Sequence, residues 1–324
     1  MNRNLIKSGI FCFGLLVAGW CEAASFSEAI VFGDSLSDSG NYFVQFGGKS
    51  MQPYEAENVP SEPYAIGGHH FTNGATWVEK LTRKLHIPNS GSPSEVSPGL
   101  FRNYAVGRSR ARAVLLDGVF SEVNLTTQVD SFLADENDQA PGEALYIIWI
   151  GSNDVADALF APDGVGAVIM GAALQNTFAQ IQRLYAYGAR HFLILNMPDF
   201  ALTPRVLDFV SVYPVPVQEI LLQNISMASV GYNQALAGNL AFMQSMLPDM
   251  DVISLDVFSV MNDIVANPEL YGLEIVDEAC IIPDTQGQAY CSSWGRYLFW
   301  DAQHPTREGH SIIAEQAEMV IEDH

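Results

Sequence analysis

Ala144-Leu145-Tyr146-Ile147-Ile148-Trp149-Ile150-Gly151-Ser152-Asn153-Asp154 is the most informative run in this 324-residue chain. Residues 144–150 are apolar without alternation and too short for a buried helix, so they read as a strand covered on both faces. Gly151 stops the strand and a polar cluster follows at once. Working outward, residues 29–32 end at Gly33 in the same way, and 103–106 end at Gly107; 191–196 and 252–255 supply a fourth and fifth strand. Helical segments lie between them. They are 76–85, 125–135 behind Asn124 as N-cap, 168–187 before Gly188, 218–246 before Pro248, and 307–321 behind Thr306. Strand and helix in alternation predict an open, doubly wound α/β sheet, mostly parallel and five-stranded, in one domain. The poorly periodic stretches 43–72, 86–99, 200–216 and 262–300 are long for plain connections and are expected to shape a cleft.

The first residues read as an export signal: Arg3 and Lys7, an apolar run over 10–20, then Cys21-Glu22-Ala23. Cleavage near Ala23 leaves residues 24–324 as a secreted domain, extracellular or periplasmic. The apolar run is too short to span a bilayer, so no stable membrane anchor is expected. Cys12 and Cys21 leave with the signal, and Cys280 and Cys291 are then expected to pair as a disulfide in an oxidising compartment. Without a nearby histidine pair they do not make a zinc site. Hydrophobic residues make up 48% and charged residues 16%, ample for a buried core, and the net charge is −22. Such a surface repels nucleic acid and anionic membranes, but a single lipid molecule can still be gripped by an apolar pocket. Gly47-Gly48-Lys49-Ser50 lacks the leading glycine spacing of a phosphate loop, so no nucleotide is expected, and no metal or cofactor.

In open α/β sheets, ligands bind beyond the carboxyl ends of the strands. Ser35, Gly107 and Asn153-Asp154 all follow such ends, and Asp301-Ala302-Gln303-His304-Pro305 precedes the last helix. Taken singly, Ser35 would be a helix cap, Asn153-Asp154 a turn, and His304 a structural histidine. Taken together they supply a serine ester hydrolase. Ser35 is the nucleophile, His304 the base, and Asp301 the group that fixes the imidazole tautomer. The Ser35 N–H, the Gly107 N–H and the Asn153 amide are the candidate oxyanion donors. No Gly-x-Ser-x-Gly elbow surrounds Ser35, which argues against a lipase of the α/β-hydrolase kind.

Phe32-Gly33-Asp34-Ser35-Leu36-Ser37-Asp38-Ser39-Gly40-Asn41 resembles the first block of the GDSL, or SGNH, hydrolases. Asn103-Tyr104-Ala105-Val106-Gly107, Gly151-Ser152-Asn153-Asp154 and Trp300-Asp301-Ala302-Gln303-His304-Pro305-Thr306 are similar to their remaining blocks. The resemblance implies a three-layer α/β/α, flavodoxin-like fold and ester hydrolysis through an acyl-enzyme without metal. Its functional positions fall on Ser35, Gly107, Asn153 and His304, with Asp301. Arg108 departs from the pattern, where a second glycine is common. Within the family the chain most resembles secreted bacterial phospholipase A, lysophospholipase A and lipid acyltransferase members. That implies a lipid acyl ester as substrate and a sterol or other alcohol as a possible acyl acceptor. Esters of carbohydrates, small soluble acylcholine-type esters, and a non-catalytic binding scaffold are the competing readings. The Cys280–Cys291 loop, close to Asp301 in sequence, is expected either to form a flap over the acyl cleft or to act only as a staple.

Overall fold

The computed structural model describes residues 26–47, 69–113, 123–287 and 290–324. The expected signal segment, Cys12, Cys21 and Gly48-Lys49-Ser50 lie outside them. The chain opens with β1 (Ala29–Gly33), α1 (Asn41–Phe46), α2 (Trp77–Lys84) and α3 (Leu125–Asp135). Next come β2 (Leu145–Trp149), α4 (Ser152–Leu159), α5 (Val165–Ala186) and β3 (His191–Leu195). There follow α6 (Pro204–Ser211), α7 (Val215–Met246), β4 (Asp251–Leu255) and α8 (Val257–Ala266). A small parallel pair, β5 (Ile275–Ala279) and β6 (Tyr297–Phe299), precedes α9 (Arg307–Glu322).

β1, β2, β3 and β4 pair in that order, parallel throughout, and β1 and β2 are buried along their whole length. That burial is what unalternated apolar runs require. On one face α3, α5 and α7 pack on their neighbours; on the other α2 packs against α9, which also meets β4. Rings knit the strands to the first layer, Phe32 edge-on to Phe132 and Phe132 edge-on to Tyr146, while Trp77 of α2 meets Trp149 from the second. The result is the expected three-layer α/β/α sandwich.

The sheet itself differs from expectation in one strand. Residues 103–106 run parallel to β1: Tyr104 N–H donates to Val31 O at 2.8 Å and Val106 N–H to Gly33 O at 3.2 Å. Their outer side is closed by the Asn41 side chain together with the backbone of residues 92–94, where Ser94 N–H donates to Asn103 O and Asn103 N–H to Ser92 O. Asn41 Nδ2 donates to Asn103 O at 2.7 Å and to Ala105 O at 2.9 Å. On the β1 side the Gly33 N–H, which would continue the ladder, goes instead to Gln128 Oε1 at 2.9 Å. The segment thus fills the edge position beside β1 without a regular ladder, and among the described residues the sheet has four strands, not five. With that edge segment counted, the spatial order is the flavodoxin-like 2-1-3-4-5.

Helix boundaries follow local chemistry. Asn124 caps α3 and Thr306 caps α9 through their side chains, while Thr76 and Glu79 form a capping box on α2. Two helices begin before their expected starts, α5 at Val165 and α7 at Val215, where Pro214 and Pro216 suit a helix start. The stretch 200–216, read as irregular, holds α6, and 262–300 holds β5 and β6. Cys280 and Cys291 form the expected disulfide. No described helix is long and apolar enough to cross a membrane.

Candidate active site

β1 ends at Gly33 and the chain folds back tightly, with Ser37 N–H and Asp38 N–H both donating to Asp34 O. Asp34 Oδ1 accepts the Leu36 N–H at 3.0 Å, which bends the backbone around Ser35. The Gln128 side chain clamps the strand end from α3, accepting from Gly33 N–H at 2.9 Å and donating to Gly33 O at 2.8 Å. Ser35 is thereby held at the carboxyl end of the sheet.

His304 arrives from the far end of the chain. Trp300 N–H donates to His304 O at 2.7 Å, and His304 N–H donates to Asp301 Oδ1 at 2.8 Å, so residues 300–304 form one tight turn. Thr72 Oγ donates to Pro305 O, and Arg307 N–H to Asn73 Oδ1, pinning this turn to residues 72–73. Within it, His304 Nδ1 lies 2.8 Å from Asp301 Oδ2 and His304 Nε2 lies 2.7 Å from Ser35 Oγ. All three residues are buried. Ser35, His304 and Asp301, spread over 269 positions of sequence, are thus brought into one line.

Asn153 stands in the first turn of α4. There Gly151 takes φ 119°, and a Cβ at that position would sit 2.7 Å from the Tyr232 hydroxyl. Asn153 Nδ2 donates to Ser109 O at 2.9 Å, which uses one of its two amide hydrogens; the other has no acceptor among the described residues and can serve a ligand. The Ser35 N–H has no acceptor among the described residues. Gly107 behaves otherwise. Its N–H donates to Asp38 Oδ2 at 2.7 Å, beside those of Gly40, Asn41 and Tyr42, which also end on the Asp38 carboxylate. Glycine is required there because a Cβ would collide with the Phe71 ring. The Gly107 N–H expected to face the substrate therefore serves a buried carboxylate, and an oxyanion beside that carboxylate would be repelled. Arg108 follows with φ 67°, a left-handed conformation that a second glycine would adopt at less cost.

Sequence reading missed several members of the site. Phe71 lies 5.3 Å from the His304 ring and came from a stretch with no periodicity. Asp34 is fully buried; burial pushes its pKa up to about 7 despite the Leu36 N–H and nearby His304, and its Oδ2 has no hydrogen-bond partner among the described residues. Burial likewise raises Asp154 to about 6, although it accepts from Ala111 N–H and pairs with Arg112 at 2.9 Å. His310 is buried and held well below the usual histidine range, so it stays neutral and accepts the Trp77 N–H on Nδ1. Beside Ser35 and His304 opens an apolar pocket walled by Trp149, Phe200, Val257, Met261, Phe299 and Ile313, with Asn153 at its rim. Those apolar residues look like any core residue in the sequence; only the fold leaves a cavity between them. Among the described residues, no cluster of three or more His, Cys, Asp or Glu could hold a metal ion.

Comparison with known proteins gives concordant results. The family model for GDSL-like Lipase/Acylhydrolase matches residues 30–317. A GDSL esterase/lipase of Arabidopsis thaliana (At1g29670) is 25% identical over 95% of this chain and 91% of its own length. Another (At4g18970) is 27% identical over 89% of this chain and 86% of its own. Lipase 1 of Photorhabdus luminescens is 25% identical over 97% of this chain and 54% of its own.

Proposed function

The chain belongs to the GDSL-like lipase/acylhydrolase family and is an acyl ester hydrolase, and from that premise we propose that Ser35, His304 and Asp301 carry out the reaction on a lipid acyl ester. His304 Nε2 takes the Ser35 proton as Oγ attacks the ester carbonyl. Asp301 holds the imidazole by Nδ1 and stabilises the imidazolium that forms. The tetrahedral oxyanion is received by the Ser35 N–H and the free Asn153 amide hydrogen, with Gly107 acting indirectly through the Asp38 network. His304 then gives its proton to the leaving alcohol, and the acyl group stays on Ser35. Water, deprotonated by His304, releases the acid and restores Ser35. An alcohol such as a sterol in place of water would turn the same acyl-enzyme to transfer.

The observation that supports this reading is the 2.7 Å contact of Ser35 Oγ with His304 Nε2 at the mouth of an apolar pocket. The walls are mostly apolar, which suits an acyl chain; Ser152, Thr203 and Gln303 are the polar side chains that line the pocket beside Asn153 and the catalytic groups. Lysophospholipid or phospholipid is the substrate class we favour. The test is Ser35→Ala in the purified protein, with product profiling on a mixed membrane lipid extract, with and without sterol. Hydrolysis should fall roughly 10⁶-fold, the loss typical of a removed serine nucleophile. Retained hydrolysis would refute the assignment, and a wild-type protein inert to a serine-reactive phosphonate would favour a binding scaffold instead.

A further inference from the structure

The surface next to the pocket mouth carries an apolar patch that neither the fold nor the catalytic arrangement uses. α6 begins against the Asp301 to His304 turn, where Arg205 N–H donates to Ala302 O at 2.8 Å and its guanidinium donates to Gln303 Oε1 at 3.2 Å. The Arg205 guanidinium also lies 5.3 Å from the Phe160 ring centroid, and Phe160 closes α4, the helix that bears Asn153. Phe160 meets Phe209 edge-on at 5.4 Å, and Phe209 meets Tyr213 at 6.0 Å. Val212 is 80% exposed and Val215 63%, and Ile220 is also open to solvent. Residues 209–218 include no charged residue in a chain of net charge −22. Single exposed apolar side chains are ordinary, but a contiguous patch of rings and branched aliphatics marks a binding surface. Pro214 and Pro216 fix φ at the α6–α7 corner, so the patch is preformed.

We propose that Phe160, Phe209, Val212, Tyr213, Val215 and Ile220 dock the protein onto the surface of a zwitterionic lipid layer, with the pocket mouth turned towards it. This rests on the lipid acyl ester reading above and adds the physical state of the substrate: lipid in an aggregate, not a dissolved monomer. Continuity selects the occupant first, because Phe200, Thr203 and Gln303 line the pocket and lead directly into the patch. Charge selects it next. A net charge of −22 repels an anionic layer at long range but leaves a net-neutral one accessible. The side chains agree, since a tyrosine suits the headgroup boundary and valine and isoleucine suit the acyl region beneath.

The test uses the full chain carrying Val212→Asp and Val215→Asp. Both sites are exposed, and an aspartate in the first turn of α7 complements the helix dipole, so folding should be kept. Co-sedimentation with phosphatidylcholine vesicles is measured beside two activities: hydrolysis of lysophospholipid carried in those vesicles, and of a dissolved short-chain nitrophenyl ester. Vesicle binding and vesicle hydrolysis should both fall about tenfold or more, while the dissolved ester is turned over at an unchanged kcat/KM. Equal vesicle binding by variant and wild type overturns the proposal. So does a wild-type dimer that the substitutions dissociate, since the patch would then be a self-interface. A wild type that cleaves the dissolved ester yet ignores vesicles sinks only the docking surface; one that cleaves neither ester sinks the acyl ester reading itself.

Discussion

Two neighbourhoods of Ser35 are built from opposite materials. In the first, Asp34, Asp38, Asn41 and Asn103 are fully buried, and all four bind mainly backbone. The Asp38 carboxylate accepts four backbone N–H groups, while the Asn41 amide donates to two carbonyls and the Asn103 amide to the carbonyl of Ser37. In the second, Trp149, Phe200, Val257, Met261, Phe299 and Ile313 line a cavity without directed bonds. The comparison teaches where precision resides. Directed bonds in a dry site fix the backbone to a fraction of an ångström, and losing one leaves orphaned partners. An apolar wall fixes only a volume, so its members can change and alter which acyl chain fits.

The sharpest way to break this contrast is Asp38→Ala. Four N–H groups would lose their acceptor, and unfolding free energy should fall by about 3–5 kcal/mol in a urea titration. A loss below 1 kcal/mol would mean that water replaces the carboxylate easily and the polar neighbourhood is not rigid. Asp34→Asn comes next. The folded pKa of about 7 lies above the ordinary 3.8, so folding takes up a proton between those values. Its contribution to stability is complete below pH 3.8 and lost as pH rises through about 7. Its slope approaches about 1.4 kcal/mol per pH unit in that window. The variant should lose this slope and keep the weaker one of the same sign from Asp154, whose pKa is raised to about 6. Unchanged stability profiles at pH 5 and pH 7 would show that Asp34 is ionised in the fold. The smallest effect belongs to the apolar wall. Met261→Phe should shift the ratio of short-chain to long-chain ester turnover by about tenfold with little change in thermal stability. An unchanged ratio would move the acyl chain out of this pocket.

Much of this was legible in the sequence, and the reasons differ by residue. β1 and β2 stood out because a strand buried on both faces must be apolar at every position, and β3 and β4 stood out as short, mostly apolar runs even though His191, Asp251 and Ser254 reach solvent. Ser35, Asp301 and His304 stood out because the chemistry demands those residue types at strand and helix ends, and they meet within hydrogen-bond distance. Residues 103–106 looked like a strand because they are mostly apolar and do bond to β1 in part; that Gln128 takes the Gly33 N–H the ladder needs is a tertiary fact. The partner of the Gly107 N–H was hidden for a related reason. A glycine announces a close approach, and here the approaching group is Phe71, with Asp38 on the N–H. Short α4, α6 and α8 went unread because three turns or fewer give too little periodicity. Whether Met261 or Val257 faces a cavity or a neighbour depends on helix placement to within an ångström, which no periodicity encodes.

The Asn41 amide, which donates to the two carbonyls of the edge segment, has a consequence for the behaviour of many copies in solution. An open strand edge is a template on which another molecule can add a strand, and proteins commonly disguise it with charge, proline or a bulge. Here the Asn41 carboxamide imitates the next peptide group, and one short stretch of backbone completes the row, Ser94 N–H donating to Asn103 O and Asn103 N–H to Ser92 O. The sheet is terminated chemically at that edge, so when copies of the chain crowd together this edge offers them no β-seam to extend.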